Sequence, residues 1–117
     1  MKTHTGSCHC GAICYEVDAV MDSAMECNCS HCGRKGFLLK FVPASLFRLT
    51  KGSDEDTTEY RFNKKIISHR FCKTCGVQTH GRGKGPDGSE MVAVNIRTLD
   101  DGVPAEVKVE KYDGKKA

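Results

Sequence analysis

The hydrophobic pattern of this 117-residue chain changes every few residues and contains no long apolar run. Alternating apolar and polar positions predict a strand at residues 12–17, and an apolar run stopped by Pro43 predicts a buried strand at 37–42. The remaining strand predictions are residues 47–50, 57–62, 66–71, 91–96 and, as an edge strand, 105–109. Short strands separated by turn signals predict a mainly β domain.

Polar and glycine-rich segments separate these strands. Residues 43–46 are predicted to form one helical turn, with a proline near its start, and residues 51–56 a polar turn. The segment 81–88 is predicted to be a glycine-rich loop that borders the functional site. It matches G-x-G-x-x-G formally, but no helix is predicted after it and it contains a proline, which argues against a dinucleotide site. Residues 113–117 are expected to fray.

Composition predicts one domain, residues 1–117, because no composition break or internal repeat divides the chain. No apolar run approaches the roughly 18 residues that a membrane span needs. No apolar leader precedes the first cysteine motif, so we expect a cytoplasmic protein. Thiols stay reduced in that compartment, and the eight closely spaced cysteines therefore predict metal binding rather than disulfides.

The formal net charge of +3 counts every cysteine as neutral. Four thiolates with one Zn²⁺ carry two net negative charges, and three thiolates with one Zn²⁺ carry one, so a protein with both sites would be near neutrality. The basic residues are also scattered and are not interleaved with aromatic residues. The charge therefore gives no support for nucleic-acid binding.

Four cysteines form two pairs that are far apart in the sequence. Cys8 and Cys10 form a C-x-C pair, and Cys72 and Cys75 form a C-x-x-C pair followed by Gly76. The glycine lets the second turn close and directs backbone N–H groups at the sulfurs. Together the two pairs predict a closed, tetrahedral structural zinc site that contributes to folding. The alternative is that Cys8 and Cys10 are ordinary buried thiols.

Three further cysteines, Cys27, Cys29 and Cys32, lie within six residues and predict a second zinc site. The sequence leaves the fourth ligand open among His31, His69, His80 and water. His31 is a poor candidate because it directly precedes Cys32. With water in the fourth position, the site would have the open coordination that catalytic zinc requires.

Some residues have simpler interpretations. Cys14 lies in a predicted strand and is interpreted as a buried core thiol without a metal. His69 could also be a proton shuttle, but a hydrogen-bonded structural role is favoured, and His80 has a similar status.

Three segments, in order, carry a resemblance to a known family: "GSCHCGAICYEV", "CNCSHCGRKG" and "HRFCKTCGVQTHGRG". Over residues 6–95 the chain resembles the glutathione-dependent formaldehyde-activating enzymes. The resemblance implies an Mss4-like fold of coiled antiparallel β-sheets with a rubredoxin-like structural zinc site. It also implies two zinc ions per chain: a structural one on Cys8, Cys10, Cys72 and Cys75, and one at the active site on Cys27, Cys29 and Cys32, whose fourth position is open to water or substrate.

The activity implied by the resemblance joins formaldehyde to the thiol of glutathione, giving S-(hydroxymethyl)glutathione, and is classed as that of a carbon–sulfur lyase. Cys27, Cys29 and Cys32 would be the catalytic centre, and delivery of a zinc-bound thiolate is favoured over strong polarisation of the carbonyl. Arg34 and Lys35 would either neutralise this centre or bind the carboxylates of glutathione, the alternative being a solvated basic turn.

The expected partner is therefore a small glutathione-like thiol, and neither nucleic acid nor membrane is expected. The alternative function is a non-catalytic zinc-binding module for protein interaction, because the Mss4-like fold also serves proteins that bind small GTPases. In that case the three-cysteine cluster would have no function.

Overall fold

Two β-sheets make up most of the chain in a computed structural model, which describes residues 1–61 and 68–113. The elements are β1 (Lys2–Ser7), β2 (Cys14–Ala19), β3 (Ser23–Cys27), α1 (Ser30–Lys35), β4 (Leu39–Pro43), β5 (Phe47–Lys51), β6 (Thr57–Tyr60), β7 (Ser68–Cys72), β8 (Gln78–Lys84), β9 (Glu90–Asn95) and β10 (Lys108–Tyr112). Three 3₁₀ turns accompany them, at Ala44–Leu46, Asp54–Asp56 and Ile96–Thr98. The first sheet has the strand order β1-β2-β5, and the second has the order β10-β3-β4-β9-β8-β7-β6.

The main core lies between the two sheets. Its buried apolar side chains are Tyr15, Val17, Ala19, Met21, Ala24, Leu38, Val42, Phe47, Val92, Val94, Ile96 and Leu99. The ring of Tyr15 stacks on that of Phe47 at a centroid distance of 5.3 Å. Its hydroxyl lies 2.7 Å from Oγ1 of Thr98, so the polar end of this buried residue is satisfied. Because side chains alternate between the two faces along β2 and β9, one face of each sheet lies in the core.

The opposite face of the large sheet carries α1. Phe41, Ala93, Gly81, His69 and Tyr60 lie directly opposite one another on β4, β9, β8, β7 and β6. Directly opposed residues of antiparallel strands project to the same face. We call this set of five positions the cross-strand row. The row is the surface beneath α1.

The predicted strands agree with the structure in position better than in number, since seven were predicted and the described residues contain ten. Residues 12–17, 37–42, 47–50 and 91–96 were predicted as strands and correspond to β2, β4, β5 and β9. Residues 43–46 contain the predicted helical turn. Parts of the predictions at 57–62, 66–71 and 113–117 lie outside the described residues.

Two predictions need correction. The segment 81–88 is not simply a loop, because Gly81 to Lys84 belong to β8, an interior strand that pairs with β7 and β9. The last strand is Lys108–Tyr112 rather than 105–109, and it pairs with β3 in parallel rather than antiparallel orientation. β1, β3 and α1 were not predicted. In the described residues, no helix has the length and apolar character that would allow it to span a bilayer.

Candidate metal centres

The first cysteine cluster joins two turns that are distant in the sequence. Cys8 and Cys10 lie in the turn between β1 and β2, whereas Cys72 ends β7 and Cys75 lies in the turn between β7 and β8. Their four sulfurs are all within 4.8 Å of one another. The Sγ atom of Cys10 is 3.7 Å from that of Cys8 and 3.6 Å from that of Cys72. Sulfurs at about 2.3 Å from a tetrahedral zinc would be roughly 3.8 Å apart, so the donors fit this ion.

The two turns have the same backbone hydrogen bonds. The N–H of Cys8 donates to the carbonyl of Ile13 at 3.0 Å, and the N–H of Cys72 donates to the carbonyl of Val77, also at 3.0 Å. In each turn a backbone N–H also points at the first sulfur, from Ile13 to Cys8 at 3.4 Å and from Thr74 to Cys72 at 3.3 Å. Such donors stabilise thiolate charge, as the interpretation of the cysteine pairs as metal ligands requires.

The thiol pKa values of this cluster are spread widely. Backbone N–H groups lower the pKa of Cys72. Burial raises the pKa of Cys75, but backbone N–H groups, led by that of Val77, outweigh it and bring the pKa to about 6. The N–H of Ala12 lowers the pKa of Cys10, yet burial and the neighbouring thiols raise it to about 11. Thiolates this close repel one another, and a shared divalent cation removes that repulsion.

The second cluster is built from one short stretch of chain. Cys27 ends β3, Cys29 is the N-cap of α1, and Cys32 lies within the helix. The N–H of Cys29 points at Sγ of Cys27 at 3.4 Å, and the N–H of Cys32 points at Sγ of Cys29 at 3.3 Å. Gly36 then ends the helix with a φ of 70°. A single helical turn thus brings the three sulfurs within 4.8 Å of one another.

Burial and capping affect these three thiols differently. Burial raises the pKa of Cys27 and that of Cys32. Burial also raises the pKa of Cys29, but the N–H of Cys32 and the other two thiols outweigh it, so this pKa is lowered. Three soft sulfur donors fit zinc, and within the described residues no histidine or carboxylate completes the set at this spacing. The geometry therefore suits a site with three protein ligands and one further position.

The histidines proposed as a fourth ligand have other contacts. The ring of His31 lies 4.3 Å from that of His69 and 5.4 Å from that of Tyr60, measured between centroids. Burial, with the nearby His31, lowers the pKa of His69 to about 4, so His69 is neutral at pH 7. Nδ1 of His69 is 3.4 Å from Nε2 of Gln78. These contacts agree with the structural role that is favoured for His69 from the sequence.

His80 lies on the core face of the sheet, away from α1. Its ring packs on Phe47 at a centroid distance of 4.9 Å, and its Nδ1 is 2.8 Å from Oγ1 of Thr79. Burial, with the charge of Arg82, lowers its pKa to about 4. The contact of 3.7 Å between its Nε2 and Asp54 is therefore not an ion pair at neutral pH. His80 is a structural residue of the core.

Arg34 and Lys35 follow Ser30 and His31, respectively, by one helical turn, so these four residues share one side of α1. With Ser30, His31, Tyr60 and Phe71 they line an open groove of about 510 Å³, which we call the aromatic groove. Nη1 of Arg34 donates to the carbonyl of Ser30 at 2.8 Å, and Nζ of Lys35 lies 4.9 Å above the ring of Phe71. The groove flanks the three-cysteine cluster and does not contain its sulfurs.

Tyr60 and Phe71 were not predicted as groove residues, because they come from β6 and β7 and meet α1 only through the sheet. Cys14 also differs from its prediction. It is half-buried rather than buried, and its thiol lies 3.4 Å from the carbonyl of Gly11. Neither cysteine cluster of the described residues includes it.

Two comparisons with known proteins agree with the geometry. The family model of the glutathione-dependent formaldehyde-activating enzyme matches residues 3–114. The crystal structure of a Rhodobacter sphaeroides protein from structural genomics has 33% sequence identity and a TM-score of 0.75, covering 91% of this chain and 99% of that one. The chain therefore belongs to the glutathione-dependent formaldehyde-activating enzyme family, and its mainly β architecture is the Mss4-like fold.

Proposed function

We propose that this protein is a zinc-dependent carbon–sulfur lyase that forms or cleaves an adduct between a thiol and an aldehyde. S-(hydroxymethyl)glutathione, from glutathione and formaldehyde, is the adduct that the family name suggests. The observation that carries the proposal is the cluster of Cys27, Cys29 and Cys32. It offers three thiol ligands beside a groove, and no further metal-ligating side chain of the described residues joins it.

The two clusters would each hold one zinc ion and would differ in role. Cys8, Cys10, Cys72 and Cys75 provide a complete tetrahedral set, which suits a structural ion. Cys27, Cys29 and Cys32 leave one position for an exogenous ligand. Zinc bound there would supply affinity for a thiolate and Lewis acidity.

The chain's own residues would bind and orient the thiol. Arg34 and Lys35 provide two positive charges along the aromatic groove, next to the helical turn that carries Cys29 and Cys32. Glutathione carries two carboxylates, so these side chains complement its charge. The rings of His31, Tyr60 and Phe71 line the same groove and would pack against the apolar parts of the thiol.

The proposal is tested by exchange NMR of glutathione and formaldehyde at equilibrium, with and without the zinc-loaded protein. This method separates catalysis from the uncatalysed addition of thiols to formaldehyde. We expect the exchange rate to rise with the protein and to return to background in the Cys29→Ser variant. An unchanged rate in a protein that holds two zinc ions would reject glutathione and formaldehyde as the pair, and would favour a non-catalytic interaction module.

The role of the basic pair is tested separately. Replacing both Arg34 and Lys35 with alanine should raise KM for glutathione about tenfold, since each exposed ion pair is worth up to about 1 kcal/mol. Lys2→Ala, which removes an exposed charge from β1, is the matched control and should leave KM unchanged. If the double variant keeps the wild-type KM, Arg34 and Lys35 are only a solvated basic turn.

A further inference from the structure

A second groove lies on the same face of the large sheet as α1. Its apolar walls include Phe41, Pro86 and Met91, and Gly81 and Gly83 of β8 form its floor. Its volume is about 260 Å³, and its other lining residues are Arg82, Lys84, Gly85 and Ala93. We call it the glycine groove.

The cross-strand row connects this groove to the three-cysteine cluster. Ala93 lines the glycine groove and also packs against Cys32 in the small apolar cluster under α1. Gly81 lies opposite both Ala93 and His69, and His69 contacts His31 of α1. Opposed Cβ positions are about 5 Å apart, so Gly81, which has no side chain of its own, lies between the parts of the sheet under Cys32 and under His31.

The lining of the glycine groove is apolar apart from two cationic residues. Arg82 is engaged elsewhere, since its Nε donates to Asp54 at 2.9 Å. Phe41 is 42% exposed, which leaves a large apolar ring at the surface beside the groove. The groove is slightly smaller than the roughly 300–1,000 Å³ typical of sites for whole ligands, and therefore suits a substituent.

Neither glutathione nor formaldehyde fills such a groove. Glutathione carries two carboxylates, and the glycine groove offers them only Lys84 among otherwise apolar walls, so binding of the charged ends there is unfavourable. The aromatic groove, with Arg34 and Lys35, provides the matching charges on the other side of α1. Formaldehyde carries no substituent. An apolar groove of this size is complementary to a short alkyl group instead.

We propose that the glycine groove binds the apolar substituent of the aldehyde, so that the preferred electrophile is a short-chain aldehyde larger than formaldehyde. In the reaction the thiol sulfur forms a bond to the carbonyl carbon, the carbon–oxygen π bond breaks, and the thiol proton ends on the oxygen. The product is a hemithioacetal, and no oxidant or reductant is needed. The inference rests on the proposed function and names the substrate class of the same site.

The test measures kcat/KM for exchange of glutathione with formaldehyde, acetaldehyde, propanal and butanal, using the zinc-loaded protein. From acetaldehyde to butanal, whose carbonyl groups have similar reactivity, each methylene buried in the groove should raise kcat/KM about fourfold. A second series measures the dissociation constants of S-methylglutathione and S-butylglutathione, which do not react. S-butylglutathione should bind about 60-fold more tightly, because it buries three further methylenes.

Two variants assign the preference to the groove. Gly83→Val fills the floor of β8 with a residue suited to strands, and Phe41→Ser lowers one wall. Each should reduce the ratio of kcat/KM for butanal to that for formaldehyde at least tenfold. Val20→Ser also changes an exposed apolar residue, 56% accessible and outside the groove, and should keep the wild-type ratio.

The outcomes separate this inference from the proposed function. Exchange with formaldehyde together with a kcat/KM that does not rise from acetaldehyde to butanal would overturn the inference alone, as would unchanged ratios in both groove variants. No exchange above background with any aldehyde would overturn the proposed function and the inference together. Equal affinity for the two S-alkylglutathiones would show that the groove does not accept the substituent.

Discussion

The two cysteine clusters use similar chemistry on different supports. The four-cysteine cluster joins the β1–β2 turn to the β7–β8 turn, and Cys10 and Cys72 are 62 positions apart. The three-cysteine cluster comes from one stretch that ends β3 and begins α1. A metal in the first would cross-link the two sheets, whereas a metal in the second would fix only one helical turn. Sequence separation between ligands therefore indicates how much of the fold each site supports.

The largest effect is expected from breaking the four-cysteine cluster. Cys75→Ser should abolish cooperative unfolding, because structural zinc contributes about 10–16 kcal/mol in small domains and the whole stability of a domain is about 5–15 kcal/mol. Near-UV circular dichroism and thermal melts measure this. Cys14→Ser makes the same change outside both clusters and should shift Tm by only a few degrees. A folded Cys75→Ser protein would contradict the structural role.

The same substitution in the three-cysteine cluster should have a different result. Cys29→Ser removes a thiolate but keeps a good N-cap, since serine accepts the hydrogen bond from Cys32 that the sulfur now accepts. The variant should keep its fold, bind one zinc fewer by elemental analysis, and lose more than about 100-fold of any exchange activity. Global unfolding would show that this site is structural, like the first.

The stability of the protein in acid should depend on His80, which lies in the strand that follows the four-cysteine cluster. His80 of β8 has a pKa of about 4, below its ordinary value of 6.5, so the unfolded state takes up this proton first as the pH falls. Neutral His80 therefore contributes about 3 kcal/mol to the free energy of unfolding above pH 6.5, and this contribution is lost as the pH falls to 4. Chemical denaturation at each pH measures it.

His80→Gln provides the comparison, since wild type and variant would release metal in acid alike. The variant's free energy of unfolding should fall less steeply between pH 6.5 and pH 4. Parallel curves for the two proteins would mean that His80 does not contribute to the acid sensitivity.

The smallest effects concern the glycines that close the two cysteine segments. Gly76 has a φ of 80° and Gly36 a φ of 70°, and a Cβ at either would meet no atom within 4 Å. Alanine at each should therefore cost only the strain of the left-handed region, about 1–2 kcal/mol. Equal decreases in the free energy of unfolding of the two variants, measured by denaturation, would show that the cost of the strain does not depend on a bound metal. A much larger loss at Gly76 would show that its turn positions the ligands.

The sequence predicted the elements whose side chains follow a simple pattern. β2, β4, β5 and β9 combine apolar alternation or a short apolar run with turn residues, and each was found within three residues of its predicted bounds. Both cysteine clusters were predicted from spacing alone, and the family resemblance is confirmed. The assignment of ligands and of the Arg34–Lys35 pair stays a prediction.

The elements that were missed owe their structure to neighbours. β8 contains Gly81 and Gly83 and buries polar residues such as Thr79, so its sequence resembles a loop although strands pair with it on both sides. α1 has only six residues and contains Gly33, and its cap is a cysteine rather than a typical capping residue. The cross-strand row depends on the register of five strands, which local patterns do not specify.

The parallel pairing of β3 and β10 determines when the three-cysteine cluster gains its neighbouring strand during translation. β3 leads into the three-cysteine cluster, and its outer neighbour is β10, with Tyr112 opposite Cys27. The carbonyl of Tyr112 accepts a hydrogen bond from the N–H of Asn28 at 3.2 Å. During translation, residues 23–32 leave the ribosome some eighty residues before β10 does. The thiols of this cluster are therefore synthesised early but gain the support of β10 only near the end of translation, and until then they lie beside an unpaired strand edge.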